Sequence, residues 1–152
     1  MLMIRQLGPG DAEACSNVIR ACIRIEAGLS QALRERMLKA ETPEAMLERA
    51  RMYYVAVYEA DAGVVGVGAV EMNEIRLLYV APEHQRKGIG RCLLVHLESM
   101  VPAALFSDTF VYSSLVAESF YRAQGYRARG PHPIMIGGEL LTTVFMTKRT
   151  ES

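Results

Sequence analysis

The chain has no excess charge of either sign: 17 Lys and Arg balance 17 Asp and Glu over 152 residues. Broad binding to nucleic acid or to an anionic membrane needs a basic surplus, so neither partner is expected, although a small local anion site stays open. Cysteine is scarce. Cys15, Cys22 and Cys92 are odd in number and form no CxxC pair. A disulfide framework or structural zinc is therefore not expected, and a reducing, cytoplasmic setting fits. Long apolar runs are missing too, none approaching the roughly 18 residues of a membrane span. The apolar start Met1–Ile4 meets Arg5 at once, too soon for a signal peptide. His84, His96 and His132 lack metal-ligand spacing, and no GxSxG elbow occurs, so no metal site is expected. Repeats, low-complexity stretches and long linkers are also absent. The length suits one domain over 1–152, since domains run to about 100–200 residues.

Punctuation and periodicity divide what is there. Residues 2–7 read as a strand ended by Gly8-Pro9-Gly10, and Asp11 is placed to cap the next helix. Cys15, Val18, Ile19, Cys22 and Ile25 recur at helical spacing, giving that helix a buried face until Gly28. A second helix is expected from Ser30 to Lys39. Thr42-Pro43-Glu44 then reads as N-cap, first-turn proline and early acid of a third, reaching about Arg51. From Tyr53 the pattern turns to β: Tyr53–Tyr58, Val64–Glu71 and Glu74–Val80, separated by the turns Asp61-Ala62-Gly63 and Met72-Asn73, predict an antiparallel meander. Gly66-Val67-Gly68 lies inside a strand and reads as close packing. A glycine-bearing loop, Gln85–Gly90, leads into a helix up to Pro102. Thr109–Ser113 reads as a strand and Leu115–Gln124 as a helix stopped by Gly125. Residues 126–148 read as a hairpin turned at Gly137-Gly138. The fold class is α/β, with a mixed, mostly antiparallel sheet flanked by helices.

The chemistry concentrates in the strand–loop–helix stretch Leu77–Arg91. Free amides at a helix start, with the positive end of its dipole, attract anions. Gly88 and Gly90 leave room for the anion, and Arg86, Lys87 and Arg91 add positive charge. This predicts a phosphate or pyrophosphate cradle. Walker A is excluded because Lys87 precedes Gly88, and the Rossmann fingerprint because no third glycine follows.

Gln85-Arg86-Lys87-Gly88-Ile89-Gly90 matches the Q/R-x-x-G-x-G/A motif, and Ala117-x-x-Phe120-Tyr121-x-x-x-Gly125-Tyr126 an A-x-x-F-Y-x-x-x-G-F/Y segment. In both, and in the lead-in Leu78-Tyr79-Val80-x-Pro82, the chain resembles the GNAT superfamily of N-acetyltransferases. The resemblance implies the GNAT fold, acetyl-CoA as donor and a primary amine, on a small molecule or a protein, as acceptor. It implies direct attack in a ternary complex. Carried over residue by residue, the Val80 backbone pairs with pantetheine, the amides of Arg86, Lys87, Gly88, Ile89 and Gly90 hold the pyrophosphate, and Leu78, Gln85, Arg91 and Ser114 also bind the cofactor. Tyr121 protonates the departing thiolate, a task suited to a phenol. Ser114 stands where the family often has Asn. Glu74 has the offset from Gln85 of the strand glutamate that acts as general base in the histone-acetylating branch; otherwise it is a solvated charge at a hairpin end, paired with Arg76. Plain strand alternation puts Glu74, Arg76, Leu78 and Val80 on one face. Cys92 reads as a buried thiol. The acceptor is expected between Ile23–Ser30 and His132–Gly138, stretches that contain Arg24, Glu26 and His132. A monomer or a homodimer fits. Two rivals are a non-catalytic acyl-CoA sensor on the same fold and a nucleotide-phosphate-binding regulatory module.

Overall fold

The computed structural model describes residues 3–151. Strand β1 (Met3–Gln6) leads through a 3₁₀ turn (Pro9–Asp11) into α1 (Ala12–Ile25), α2 (Gln31–Ala40) and α3 (Pro43–Met52). The strands β2 (Tyr54–Ala60), β3 (Gly63–Glu71) and β4 (Glu74–Val80) follow. Then come α4 (Ile89–Glu98), β5 (Asp108–Ser114), α5 (Glu118–Ala123), β6 (Arg127–Ile136) and β7 (Glu139–Arg149). The seven strands form one sheet in the order β1-β2-β3-β4-β5-β7-β6. All neighbours are antiparallel except β4 and β5, which run parallel. The expected mixed, mostly antiparallel sheet and its β2–β4 meander are present.

Local chemistry accounts for the helix starts. Ser30 accepts from the Leu33 amide and Thr42 from the Ala45 amide, both at 3.1 Å, satisfying donors that a helix leaves unpaired. Asp11 does not cap α1 as expected. Its carboxylate turns back to accept from the Gly8 amide at 2.7 Å and pairs with Arg5 at 2.7 and 3.0 Å. On α1 the buried residues are Ala12, Cys15, Ser16, Val18, Ile19 and Ile23, while Ile25, the last residue of the helix, is exposed.

Two cores sandwich the sheet. One packs α1 and Met46 of α3 against Val55, Val57, Val67 and Ala69. The other packs α4, with Leu93, Leu94 and Leu97, against Ala56, Val70, Ile75 and Met146. Gly66 and Gly68 allow α4 to lie close on β3. A Cβ at Gly66 would come within 2.9 Å of Leu93 Cδ1, and one at Gly68 within 2.8 Å of Leu97 Cδ1. The packing reading of these glycines is therefore correct, and the contact sets the height of the α4 N-terminus above the sheet.

β4 carries an extra residue. The register steps from Ala69↔Leu77 to Val70↔Ile75, leaving Arg76 bulged. Ile75 consequently shares the α4-side core with Leu78 and Val80, while Leu77 and Tyr79 pack on the α1 side. Glu74, next to Ile75, points to the α1 side. The expected common face of Glu74, Leu78 and Val80 is thus corrected: a one-residue bulge inverts the alternation.

Candidate active site

β4 and β5 pair only through Glu74↔Phe110 and Ile75↔Val111. Beyond these pairs the strands part, and a cleft of about 860 Å³ opens between them. Leu78, Tyr79 and Val80 form one wall; Ser114, Ala117, Phe120 and Tyr121 form another. Parallel strands that separate leave edge amides and carbonyls without a ladder partner, and side chains take up part of that demand. The Val80 carbonyl accepts from the Cys22 thiol at 3.1 Å and from Gln85 Nε2 at 2.9 Å.

At the cleft's end the chain turns sharply into α4. Arg86 adopts φ 63° and Gly88, the N-cap of α4, φ 85°. A non-glycine residue in the left-handed region marks a backbone held by its surroundings. Left-handed turns of this kind aim successive amides into a concavity. No side chain caps α4, so its first-turn amides are available to an anion. Gly90 has its open side toward Phe120 and Val80: a Cβ there would lie 3.5 Å from the Phe120 ring and 3.8 Å from Val80 Cγ2.

The structure brings together Leu78, Val80, Gln85, Arg86, Gly88, Ile89, Gly90, Arg91, Ser114 and Tyr121 on this one cleft. Lys87 is exposed and does not line it. Ser114 Oγ also accepts from the Ala117 amide at 3.3 Å, holding the turn before α5. Tyr121 lines the cleft and is 5% exposed. Burial, with Tyr79 and Glu98 nearby, pushes its phenol well above the usual range, so it stays protonated and able to donate. Glu74 lies outside the cleft lining. It pairs with Arg76 at 3.2 Å, where β4 and β5 still touch.

For the α1 side of the cleft the sequence points to the stretch Ile23–Ser30 but assigns no catalytic residue in it. Cys22, Ile25, Glu26 and Ala27 line the cleft, together with Tyr79 and His84. Cys22 looks like one more apolar residue of a helical stripe, and no motif marks Glu26. The expected acceptor stretch 23–30 does reach the cleft through Ile25, Glu26 and Ala27, whereas His132–Gly138 does not line it. Cys92 is exposed rather than buried, because it lies on the outer face of α4. Among the described residues no cluster of His, Cys, Asp and Glu is placed to hold a metal, and no helix is long and apolar enough to cross a membrane.

The parted strands thus flank a cleft that ends in a glycine-rich cradle of helix-start amides. The family described as acetyltransferase (GNAT) domain matches residues 18–142, and the chain belongs to that family. Among solved structures it resembles a GCN5-related N-acetyltransferase from Rhodopseudomonas palustris, with TM-score 0.89 and 24% identity over 97% of this chain and 94% of that one. It also resembles the PaiA N-acetyltransferase of Thermoplasma acidophilum, solved with coenzyme A. There the TM-score is 0.74 and the identity 21%, over 98% of this chain and 99% of that one. A third is the GNAT superfamily phosphinothricin acetyltransferase of Sinorhizobium meliloti in complex with acetyl-CoA. It gives TM-score 0.72 and 20% identity over 98% and 88% of the two chains.

Proposed function

We propose that this protein is a cytoplasmic N-acetyltransferase that moves an acetyl group from acetyl-CoA to a primary amine by direct attack in a ternary complex. The observation that carries this reading is the cleft itself. An open strand edge, a cradle of unpaired helix-start amides and a buried, protonated tyrosine lie along one channel. These features match three parts of acetyl-CoA: peptide-like amides, a pyrophosphate and a thioester. Acetyl-CoA supplies an activated acetyl group with a thiolate leaving group.

In this reading the β4 edge near Val80 pairs with the pantetheine amides, as an added strand would. Gly88, Ile89, Gly90 and Arg91 offer amides to the pyrophosphate, while Arg86 and Arg91 add charge. Tyr121 donates its proton to the departing sulfur. A carboxylate relieves the amine of its proton, and the family resemblance puts forward Glu74 for that role. The acceptor amine belongs to a small molecule or a protein.

Two measurements test this. Acetyl-CoA at about 100 times its dissociation constant should stabilise the fold by about 2.7 kcal/mol, several degrees in Tm for a chain of this size. ATP should give no comparable shift. Thiol release against a panel of amines should then identify acceptors. No shift with any acyl-CoA would sink the reading, and binding without transfer to any amine would leave a sensor in its place.

A further inference from the structure

The α1-side wall of the cleft contains a single carboxylate. Of the residues lining the cleft, only Glu26 carries one. It follows the last turn of α1, with extended backbone (φ −67°, ψ 122°) that turns the chain toward α2. Arg34 of α2 would be its natural partner, but that guanidinium donates instead to backbone carbonyls, those of Ile23 and of Glu26 itself. Arg34 thereby ties down the end of α1 and leaves the Glu26 carboxylate facing the cleft, half-buried, without a hydrogen bond or ion pair among the described residues. Cys22, one turn back on α1, and Tyr79 on β4 flank it. Tyr79 lies within electrostatic range of Glu26 on one side and of Tyr121 on the other. The three side chains therefore span the sheet at its opening: Glu26 and Tyr79 on the α1 side, Tyr121 on the α4 side.

We propose that Glu26 receives the acceptor, holding its ammonium group and taking its proton, and that the acceptor is accordingly an alkylamine that is cationic in solution. The assignment rests on the acetyl-transfer reading above. One ammonium proton passes to the Glu26 carboxylate and on to water. The freed lone pair forms the C–N bond to the acetyl carbon as the C–S bond breaks, its electron pair staying on sulfur. Tyr121 protonates that sulfur, and the nitrogen's remaining surplus proton restores Tyr121. The need is large for an alkylamine with a lysine-like pKa near 10.4, since only about one molecule in a thousand is neutral near pH 7.5.

The local electrostatics agree with this geometry. Burial raises the Glu26 carboxyl above its usual range, with Arg34 opposing, which brings a carboxylate closer to the basicity a proton acceptor needs. The other groups around it are Cys22 and Tyr79, whose neutral forms burial favours, pushing them up to about 11 and about 12. Beyond them His84, Arg86 and Arg91 line the same cleft.

The experiment compares pH profiles of kcat/KM for wild type, Glu26→Gln, Glu26→Asp and Glu74→Gln. The acceptors are the best alkylamine found by screening and an arylamine that is neutral at pH 7. CoA affinity, measured by calorimetry on each variant, should stay within about twofold. Glu26→Gln should lower kcat/KM for the alkylamine by at least about tenfold at pH 7, the low side of what a general base supplies. It should also remove the acid limb set by the carboxylate and leave a rate that keeps rising toward the amine's own pKa, so that the loss shrinks as pH rises, while the arylamine, which arrives without that proton, should lose far less. Glu26→Asp should keep the acid limb at a reduced rate. If Glu74→Gln removes that limb and Glu26→Gln does not, the assignment is overturned, as it is if wild type acetylates arylamines but no alkylamine. A wild type that binds CoA but acetylates nothing refutes the acetyl-transfer reading itself, a result distinct from these.

Discussion

Gly90→Glu tests the cradle directly. Residue 90 lies in the first turn of α4, and its Cβ would point along the cleft between Phe120 and Val80 at ordinary contact distance. Its φ is not in the left-handed region, so a side chain costs no backbone strain. An acidic residue in a first helical turn is mildly favourable in itself. The fold should therefore survive. The ligand should not tolerate the change. Two unit charges about 4 Å apart at an effective dielectric near 20 repel by about 4 kcal/mol. The cleft is open to water, which makes this an upper figure, so the expected loss of CoA affinity is about a hundred- to a thousandfold. Calorimetric titration with CoA reads it. Acetylpantetheine, which lacks the pyrophosphate, should lose far less. Gly90→Ala, which adds only the Cβ, should bind CoA nearly as wild type does. Equal losses for CoA and acetylpantetheine would mean simple blockage of the cleft. A Gly90→Glu protein that bound CoA within tenfold of wild type would show that the pyrophosphate lies elsewhere.

Tyr121→Phe should lower kcat about a hundredfold, the low end of general-acid assistance, with CoA affinity little changed; an unchanged kcat in single-turnover mixing would remove Tyr121 from the chemistry. Cys22→Ala should keep turnover within a few fold, and a dead variant that still binds CoA would point to an acyl-cysteine instead. Gly66→Ala should cost about 1–3 kcal/mol by overpacking, because Leu93 and Ile89 leave no room for its Cβ. It should also weaken CoA binding, since Ile89 opens α4; Gly10→Ala, with open space around it, is the control for both thermal melts and titrations. Arg5 holds the Asp11 carboxyl below its usual range, aided by the Gly8 amide. The stability this pair contributes is present above the unfolded pKa, near 3.9, and is lost as pH falls through the lower folded value. Asp11→Asn should therefore cost about 1–2 kcal/mol at pH 7 and converge on wild type in acid, as denaturant melts at both pH values would show.

Turn chemistry and capping made most of the fold legible. Thr42-Pro43-Glu44, Gly125 and Gly137-Gly138 punctuate the chain where their backbone preferences require. The strand–loop–helix turn at Gln85–Gly90 was legible for the same reason: its residues are contiguous and set local backbone geometry. The α1 side of the cleft was legible only as a stretch, Ile23–Ser30, and not residue by residue. Cys22, Glu26 and Tyr79 come from two elements, and which of them faces the cleft depends on how α1 crosses β4. The bulge at Arg76 was equally hidden. Its sequence, Glu74-Ile75-Arg76-Leu77-Leu78, alternates well enough to pass for a regular strand, and only the pairing with Ala69 and Val70 exposes the extra residue. That single residue decides which face Glu74 occupies.

The two faces of the sheet also bear on how the proposed transfer proceeds. Tyr121 packs in the α4-side core, and Glu26 reaches the cleft from the α1 side. An intact sheet would keep them apart, because strand hydrogen bonding closes the space between β4 and β5. The parting of these strands after Ile75 is what gives both side chains access to one channel. A donor seated on the α4 cradle and an acceptor entering past α1 would therefore meet within the sheet, with a proton donor on the donor's side and a proton acceptor on the other. The cleft's own thiol is poorly suited to act as an intermediate carrier. Cys22 donates to the Val80 carbonyl, and burial pushes its thiol up to about 11, which leaves little thiolate for nucleophilic attack near neutral pH. A buried thiol that stays protonated is consistent with the proposed direct attack by the amine and gives no support to an acyl-cysteine intermediate.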